Sequence, residues 1–207
     1  MIIVTATDRR FLKYTNAFLS SLLPNTTEMV YVMAVNMPEL KSDGVHVFHQ
    51  AVPEDSLYDK RAYGFKATAI SRAFSLGSPV LWIDADSIVQ KDMAPMCALF
   101  DNADILVRKD EQRPWKFKSC YLGFRHLVDA HRYQKLVKND IYTYSDQDHI
   151  QEIVWNALGK SRIVSFPSEM CSAGPREGAV IWTTKKRSRS SEPYLSAIQG
   201  AEEILYE

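Results

Sequence analysis

The sequence predicts an α/β fold, with a mostly parallel central sheet flanked by helices in a single domain spanning residues 1–207. Three observations carry this expectation. Apolar strand-like runs alternate with amphipathic helix-like runs through the first half of the chain, the pattern of βαβ units. The runs "MIIV" and "PVLWI" are apolar without interruption, as strands are when helices cover both faces of their sheet. No stretch is rich enough in Pro, Gly or Ser to act as a linker between domains.

The elements follow in order. "MIIVTATD" begins with a short β-branched run that turns polar at Thr5, as a buried strand does on reaching a loop. In "RRFLKYTNAFLSSLLP", Phe11, Thr15, Phe18 and Leu22 recur at helical spacing, and Pro24 stops the helix. "EMVYVMAVN" and "GVHVFHQ" read as the second and third strands. "YDKRAYGFKATAISRAFSLG" is an amphipathic helix with Ala62, Phe65, Ala69, Ala73 and Leu76 on one face and Gly77 as its C-cap. It feeds directly into "PVLWIDADSIVQKDM", a strand that ends in acids.

Beyond that strand, "APMCALF" predicts a short helix, "ADILVR" a strand, "KDEQRPWKFK" a charged loop and "SCYLGFRH" another strand. "LVDAHRYQKLVKN" is helical, as is "YSDQDHIQEIVWNALG", which carries Ile150, Val154 and Leu158 on one face and ends at Gly159. "RIVSF" and "GAVIWTT" read as strands, with the basic run "KKRSRS" after them. "SEPYLSAIQGAEEILYE" is expected to be helical throughout, with Pro193 in its first turn.

Composition excludes several classes. Lys+Arg 25 balances Asp+Glu 25, and the hydrophobic fraction of 46% and charged fraction of 24% are those of a globular protein. Disorder and a general affinity for polyanions are therefore set aside. The cysteines Cys97, Cys120 and Cys171 are odd in number, widely spaced and without a CxxC pair, which argues against a disulfide framework or structural zinc and for a reducing compartment. Charges follow the N-terminal apolar run where a secretory signal has them in front, and no segment approaches the roughly 18 apolar residues of a membrane span. The expectation is a soluble, cytoplasmic protein.

The chemistry concentrates at Asp84 and Asp86, one residue apart where a buried strand opens into a loop. Two carboxylates so placed repel each other unless a cation or a strong donor set joins them. Mg²⁺ or Mn²⁺ takes oxygen ligands, needs only one or two protein carboxylates, and completes its shell with water and substrate phosphates. The pair thus points to a metal and to a phosphate-bearing ligand beyond the carboxyl end of the strand. Its ordinary alternative is an Asx-type turn that caps the strand. The same bare pattern recurs in "DQD", Asp146 to Asp148.

A helix ending in Gly77 followed by "PVLWIDADSIVQKDM" resembles the D-x-D region of GT-A glycosyltransferases, in particular the retaining family of glycogenin and the lipopolysaccharide galactosyl- and glucosyltransferases. The resemblance implies a GT-A, Rossmann-like fold. It also implies transfer of a sugar, with retention, from a nucleoside-diphosphate sugar, most readily a UDP-sugar, to an acceptor hydroxyl. It assigns Asp84, Ala85 and Asp86 to the donor diphosphate and its Mn²⁺ or Mg²⁺, and "VTATD" (Thr5, Ala6, Thr7) to the base and ribose. "GFKATAISRAF" implies a basic contact with the donor at Lys66, and at Arg61 just before it. "SCYLGF" places Gly123 beside the donor sugar, and "YSDQDHIQEIVWN" assigns Asp146 and Gln147 to catalysis or to orientation of the sugar or acceptor. The family's usual C-terminal histidine, a third metal ligand, has no counterpart in "VIWTTKKRSRS"; Lys185 or Lys186 there would contact the diphosphate. The acceptor, whether glycan, protein or nucleic acid, is left open.

Ordinary structural uses stand beside these assignments. Ser145 is a natural helix N-cap, with Asp146 and Asp148 favoured in the first turn by the macrodipole. Lys66 sits on a helix rich in surface charge, Thr5 and Thr7 suit a strand end, Gly123 suits a bulge, and the lysines suit a basic surface. Trp115 and Phe117 are available in the charged loop to stack on a sugar ring. Two other functions stay open. "WIDADSIV" also resembles the strand end of haloacid-dehalogenase-type phosphohydrolases, with Asp84 as nucleophile, and the missing histidine is compatible with a non-catalytic nucleotide-sugar or carbohydrate binder.

Overall fold

Ile2, Ile3 and Val4, with almost no surface exposed, lie in an interior strand of the sheet, β1 (Ile2–Thr7). The computed structural model of the chain describes residues 1–52, 63–113, 115–139, 146–183 and 192–206. After β1 come α1 (Leu12–Leu22), β2 (Met29–Val35), β3 (His46–Gln50), α2 (Tyr63–Ala73), β4 (Val80–Ile83), β5 (Ser87–Val89) and the short α3 (Ala94–Ala98). The chain continues through β6 (Ile105–Lys109), β7 (Phe117–Phe124), α4 (Leu127–Asn139), α5 (Asp146–Ala157), β8 (Ile163–Ser165), β9 (Cys171–Ser172), β10 (Ile181–Thr183) and α6 (Glu192–Gln199).

Seven strands form one sheet in the order β3-β2-β1-β4-β7-β6-β8. β1 pairs in parallel with β2 on one side and with β4 on the other, so the strand order reverses direction at β1 and β4. Within this sheet only β7 runs against its neighbours, β4 and β6. The carboxyl ends of β1, β4 and β6 and the start of β7 therefore share one edge, where open α/β sheets bind their ligands.

Side-chain alternation assigns the two faces of the sheet. Ile3 and Leu81 point to one layer, where they meet Phe18, Leu19 and Leu22 of α1 and Met96 of α3. Val4, Val80 and Trp82 point to the other, against Ala67 and Ile70 of α2, Tyr133 of α4 and Ile150 and Val154 of α5. Uninterrupted apolar strands are thus required by burial on both sides. Gly159 closes α5 at φ 77°, a left-handed position that glycine adopts without steric cost.

Three local expectations are corrected. α2 stops at Ala73, and Gly77 comes after a further turn made by the N–H groups of Ser75 and Leu76. The last segment is helical only to Gln199. Beyond Gly200 the chain is irregular, Leu205 is fully buried in the α1 layer, its backbone is held by both polar atoms of Asn16, and Tyr206 bridges Lys41. Burial of Leu205 together with those backbone bonds outweighs continued helix. The sequence also hides a second sheet, ordered β5-β10-β9, whose two- and three-residue strands are too short to show a period. Among the described residues no helix is long and apolar enough to cross a membrane.

Candidate functional site

All four residues of β4 are buried, and the chain leaves the sheet at Asp84, whose N–H still donates to the Cys120 carbonyl of β7 at 2.9 Å. The Ser87 N–H returns to the Asp84 carbonyl at 3.1 Å, so residues 84–87 form a tight turn into β5. The Asp84 carboxylate does not cap that turn. Its Oδ1 accepts the Trp82 indole N–H at 2.6 Å and lies 3.1 Å from Lys66 Nζ. Lys66 reaches across from α2 and also donates to the Ser119 carbonyl at 2.8 Å, with its ammonium 5.3 Å from the centre of the Trp82 ring.

The Lys66 side chain is only 8% exposed and that of Asp84 29%, so the lysine is a buried counter-charge rather than a solvated one. An opposite charge and a carbonyl acceptor make that burial tolerable. Ala85 and Asp86 are buried beside it.

Asp84 and Asp86 line one wall of a cavity of about 250 Å³. Lys118, Ser119 and Cys120 of β7 form its floor, Gln147 of α5 faces it, and Arg108 and Asp110 enter from the end of β6. Thr183 of β10 closes it. The Thr183 hydroxyl bonds Ser87 Oγ at 2.8 Å and also the Tyr121 hydroxyl, tying the small sheet to the large one. Arg113 and Gln112 fold the β6–β7 connection back onto Asp110, the guanidinium at 3.1 Å and the Gln112 N–H at 3.0 Å. Burial pushes the Asp110 carboxyl up, but the Gln112 N–H, Arg113 and Lys118 outweigh it and hold it below the usual carboxylate range. Burial raises the Cys120 thiol, which keeps it a neutral S–H beside the acids.

The cavity brings together Asp84, Asp86 and Gln147 among the residues singled out in the sequence, with Lys66 held behind Asp84. Thr5, Ala6 and Thr7 lie at the end of β1, the adjacent strand, and do not line the cavity. Thr5 is fully buried and the Thr7 hydroxyl accepts a 2.8 Å bond from that of Thr15. Asp146 opens α5, but its side chain lies outside the described residues, as do Arg61, Lys185 and Lys186.

Gly123, which the resemblance puts beside the donor sugar, does not line this cavity. It sits inside the sheet between Leu81 and Leu106, where an added Cβ would come 2.5 Å from Phe100 Cζ; the glycine is required by core packing, and β7 meets the cavity through Lys118 to Cys120 instead. Phe117 is likewise a core residue, whereas Trp115 is 65% exposed.

Arg108, Asp110, Lys118 and Thr183 were not singled out from the sequence. "ADILVRKD" carries the same sign as "VLWIDAD", an apolar strand opening into charge, and that sign could have found the first two.

No family model matches the sequence, and no curated protein does. Solved structures match over nearly the whole chain. An active-site variant of LgtC superposes at TM-score 0.64 with 14% identity, over 96% of this chain and 94% of that one. The galactosyltransferase LgtC in complex with donor and acceptor sugar analogs gives 0.60 and 13%, over 97% and 96%. The glycosyltransferase GlyE of Streptococcus pneumoniae gives 0.65 and 13%, over 95% of this chain and 60% of that one. The chain has the GT-A fold of these glycosyltransferases.

Proposed function

We propose that the protein is a glycosyltransferase that moves a sugar, with retention, from a nucleoside-diphosphate sugar, most readily a UDP-sugar, to an acceptor hydroxyl, and that residues 1–207 act as one catalytic domain. The reading rests on one observation: Asp84 and Asp86 share a cavity with Gln147 at the strand ends of a GT-A fold. A volume of about 250 Å³ is below the roughly 300–1,000 Å³ of pockets that enclose a drug-sized ligand. It suits one sugar unit, with the nucleotide lying outside it along the end of β1 near Thr5 to Thr7.

The donor set fits a divalent cation. Asp86 and the second oxygen of Asp84, which bonds none of the described residues, are hard ligands in the number Mg²⁺ or Mn²⁺ requires. Among the described residues no third His, Cys, Asp or Glu joins them, so phosphate oxygens and water would complete the shell. Such an ion, when bound, supplies Lewis-acid charge to the departing diphosphate. Lys66 fixes the Asp84 carboxylate in place, Gln147 orients the sugar, and Lys185 or Lys186 would add positive charge at the leaving group. The three cysteines are all free thiols, in keeping with a reducing, cytoplasmic setting.

The test is thermal stability in the presence of nucleotides. UDP or GDP with Mn²⁺ is expected to raise the melting temperature of the wild type, and Asp86→Ala is expected to abolish the rise. Absence of any nucleotide effect on the wild type would sink the proposal.

A further inference from the structure

We propose that the far end of this cavity, at β6, is an acceptor subsite that selects an acceptor carrying a carboxylate or phosphate, with Arg108 as the recognising residue and Lys118 beside it. This deepens the glycosyltransferase reading and rests on it. The first observation is a buried cation with no close oxygen partner among the described residues. The Arg108 side chain is 4% exposed and lines the cavity; its guanidinium stands 5.3 Å from the centre of the Tyr121 ring, and its polar contacts among the described residues are long: Cys120 Sγ at 3.5 Å, the Cys171 carbonyl at 3.4 Å and Glu111 Oε1 at 3.4 Å. Charge-assisted N–H···O bonds are usually about 2.7–2.9 Å. Its one acidic contact among the described residues, Glu111, is 51% exposed, so the guanidinium is only loosely neutralised by them.

The second observation is a like-charge pair. Arg108 and Lys118 are direct cross-strand partners, an arrangement that destabilises a sheet when nothing sits between the charges. The register of β6 against β7 shifts between Val107 and Arg108, and such bulges re-aim side chains next to functional sites. Third, the neighbouring acids are already committed. Asp84 is held by Lys66, and Asp110 by Arg113. Among the described residues the Lys118 side chain makes no hydrogen bond or ion pair; it is half-buried on the cavity floor, within electrostatic reach of Asp110. An anion entering here would meet a planar guanidinium, which binds carboxylate and phosphate two-pronged, and an ammonium.

Position assigns the anion to the acceptor. β6 lies two strands beyond β4, roughly 10 Å from the acids that mark the donor diphosphate, on the side away from β1. A sugar attached to that diphosphate spans β7, and the next unit falls at β6.

The test has two arms. D-glucuronate and inorganic phosphate are titrated calorimetrically into the UDP- and Mn²⁺-loaded wild type, R108Q and R108K, each checked for folding by its melting temperature. Transfer is then measured to matched neutral, uronic and phosphorylated monosaccharide acceptors. The expected result is that one or both anions bind the wild type, that R108Q weakens binding at least tenfold with R108K intermediate, and that the preference for acidic over neutral acceptors falls at least tenfold through KM. The acceptor panel separates carboxylate from phosphate. If R108Q does not fold, K118Q is read instead and is expected to weaken anion binding severalfold.

Anion binding that is absent, or equal in wild type and variant, overturns the proposal while donor turnover stands. So does equal use of neutral and acidic acceptors, or an Arg108-dependent preference for a UDP-uronic acid donor. Absence of nucleotide binding or donor turnover would instead remove the glycosyltransferase reading beneath it.

Discussion

A single hydrogen atom's worth of space separates two readings of Gly123. A glycine beside a donor sugar tolerates no side chain because a ligand is there; this one tolerates none because Phe100 Cζ and Leu106 Cβ stand 2.5 and 3.0 Å from where a Cβ would be. Phe100 is itself buried, so its ring has little room to move. Gly123→Ala is therefore expected to cost about 1–3 kcal/mol of stability through overpacking, read from urea melts, with nucleotide affinity unchanged. Loss of nucleotide binding without loss of stability would return Gly123 to the site. The contrast with Asp84 is instructive. Its place in the sequence marks it as functional, but only the structure reveals that Trp82 and Lys66 hold one of its oxygens and leave the other toward the cavity.

Between elements, the edge pairing of β6 with β8 positions the strand that delivers Arg108 and Asp110. Asp104, just before β6, fastens it: Oδ2 accepts the Arg162 N–H at 2.8 Å, with Arg162, His126 and Arg125 side chains around Oδ1. The Arg162 N–H lowers the Asp104 carboxyl most, burial opposes it, and Arg162 and His126 add to the lowering. A carboxylate held below its unfolded value stabilises the fold above that value, about pH 4, and the contribution disappears as pH falls through the folded value. Asp104→Asn is expected to lower stability by about 1–3 kcal/mol at pH 7, and the gap to wild type should shrink below about pH 4. A gap independent of pH would mean that charge plays no part in this fastening. The irregular tail does similar work on the opposite layer, where Leu205 and Asn16 pin residues 200–206 to α1.

At the scale of the whole molecule, the strands and helices of the large sheet were legible because burial on two faces writes long apolar runs and helical periods into the sequence. The small sheet was not, because Cys171–Ser172 and Ser87–Val89 gain their pairing from each other's neighbourhood through β10 rather than from any local pattern. The site divides the same way. Asp84 and Asp86 stood out because they follow the apolar run of β4, and Gln147 through the resemblance carried by "YSDQDHIQEIVWN"; Lys118 and Thr183 did not, because their partners, Arg108, Ser87 and Tyr121, lie far away in sequence or look like ordinary strand residues. What unites them is one edge of one sheet, and the central claim is that this edge holds a nucleoside-diphosphate sugar. The most direct measurement is release of nucleoside diphosphate from a panel of UDP- and GDP-sugars by wild type, Asp84→Asn and Asp86→Asn. Metal-stimulated release of UDP or GDP is expected, falling on the order of 100-fold or more in Asp86→Asn. Phosphate release from simple phosphomonoesters that depends on Asp84, with no nucleoside diphosphate formed from any sugar donor, would contradict it.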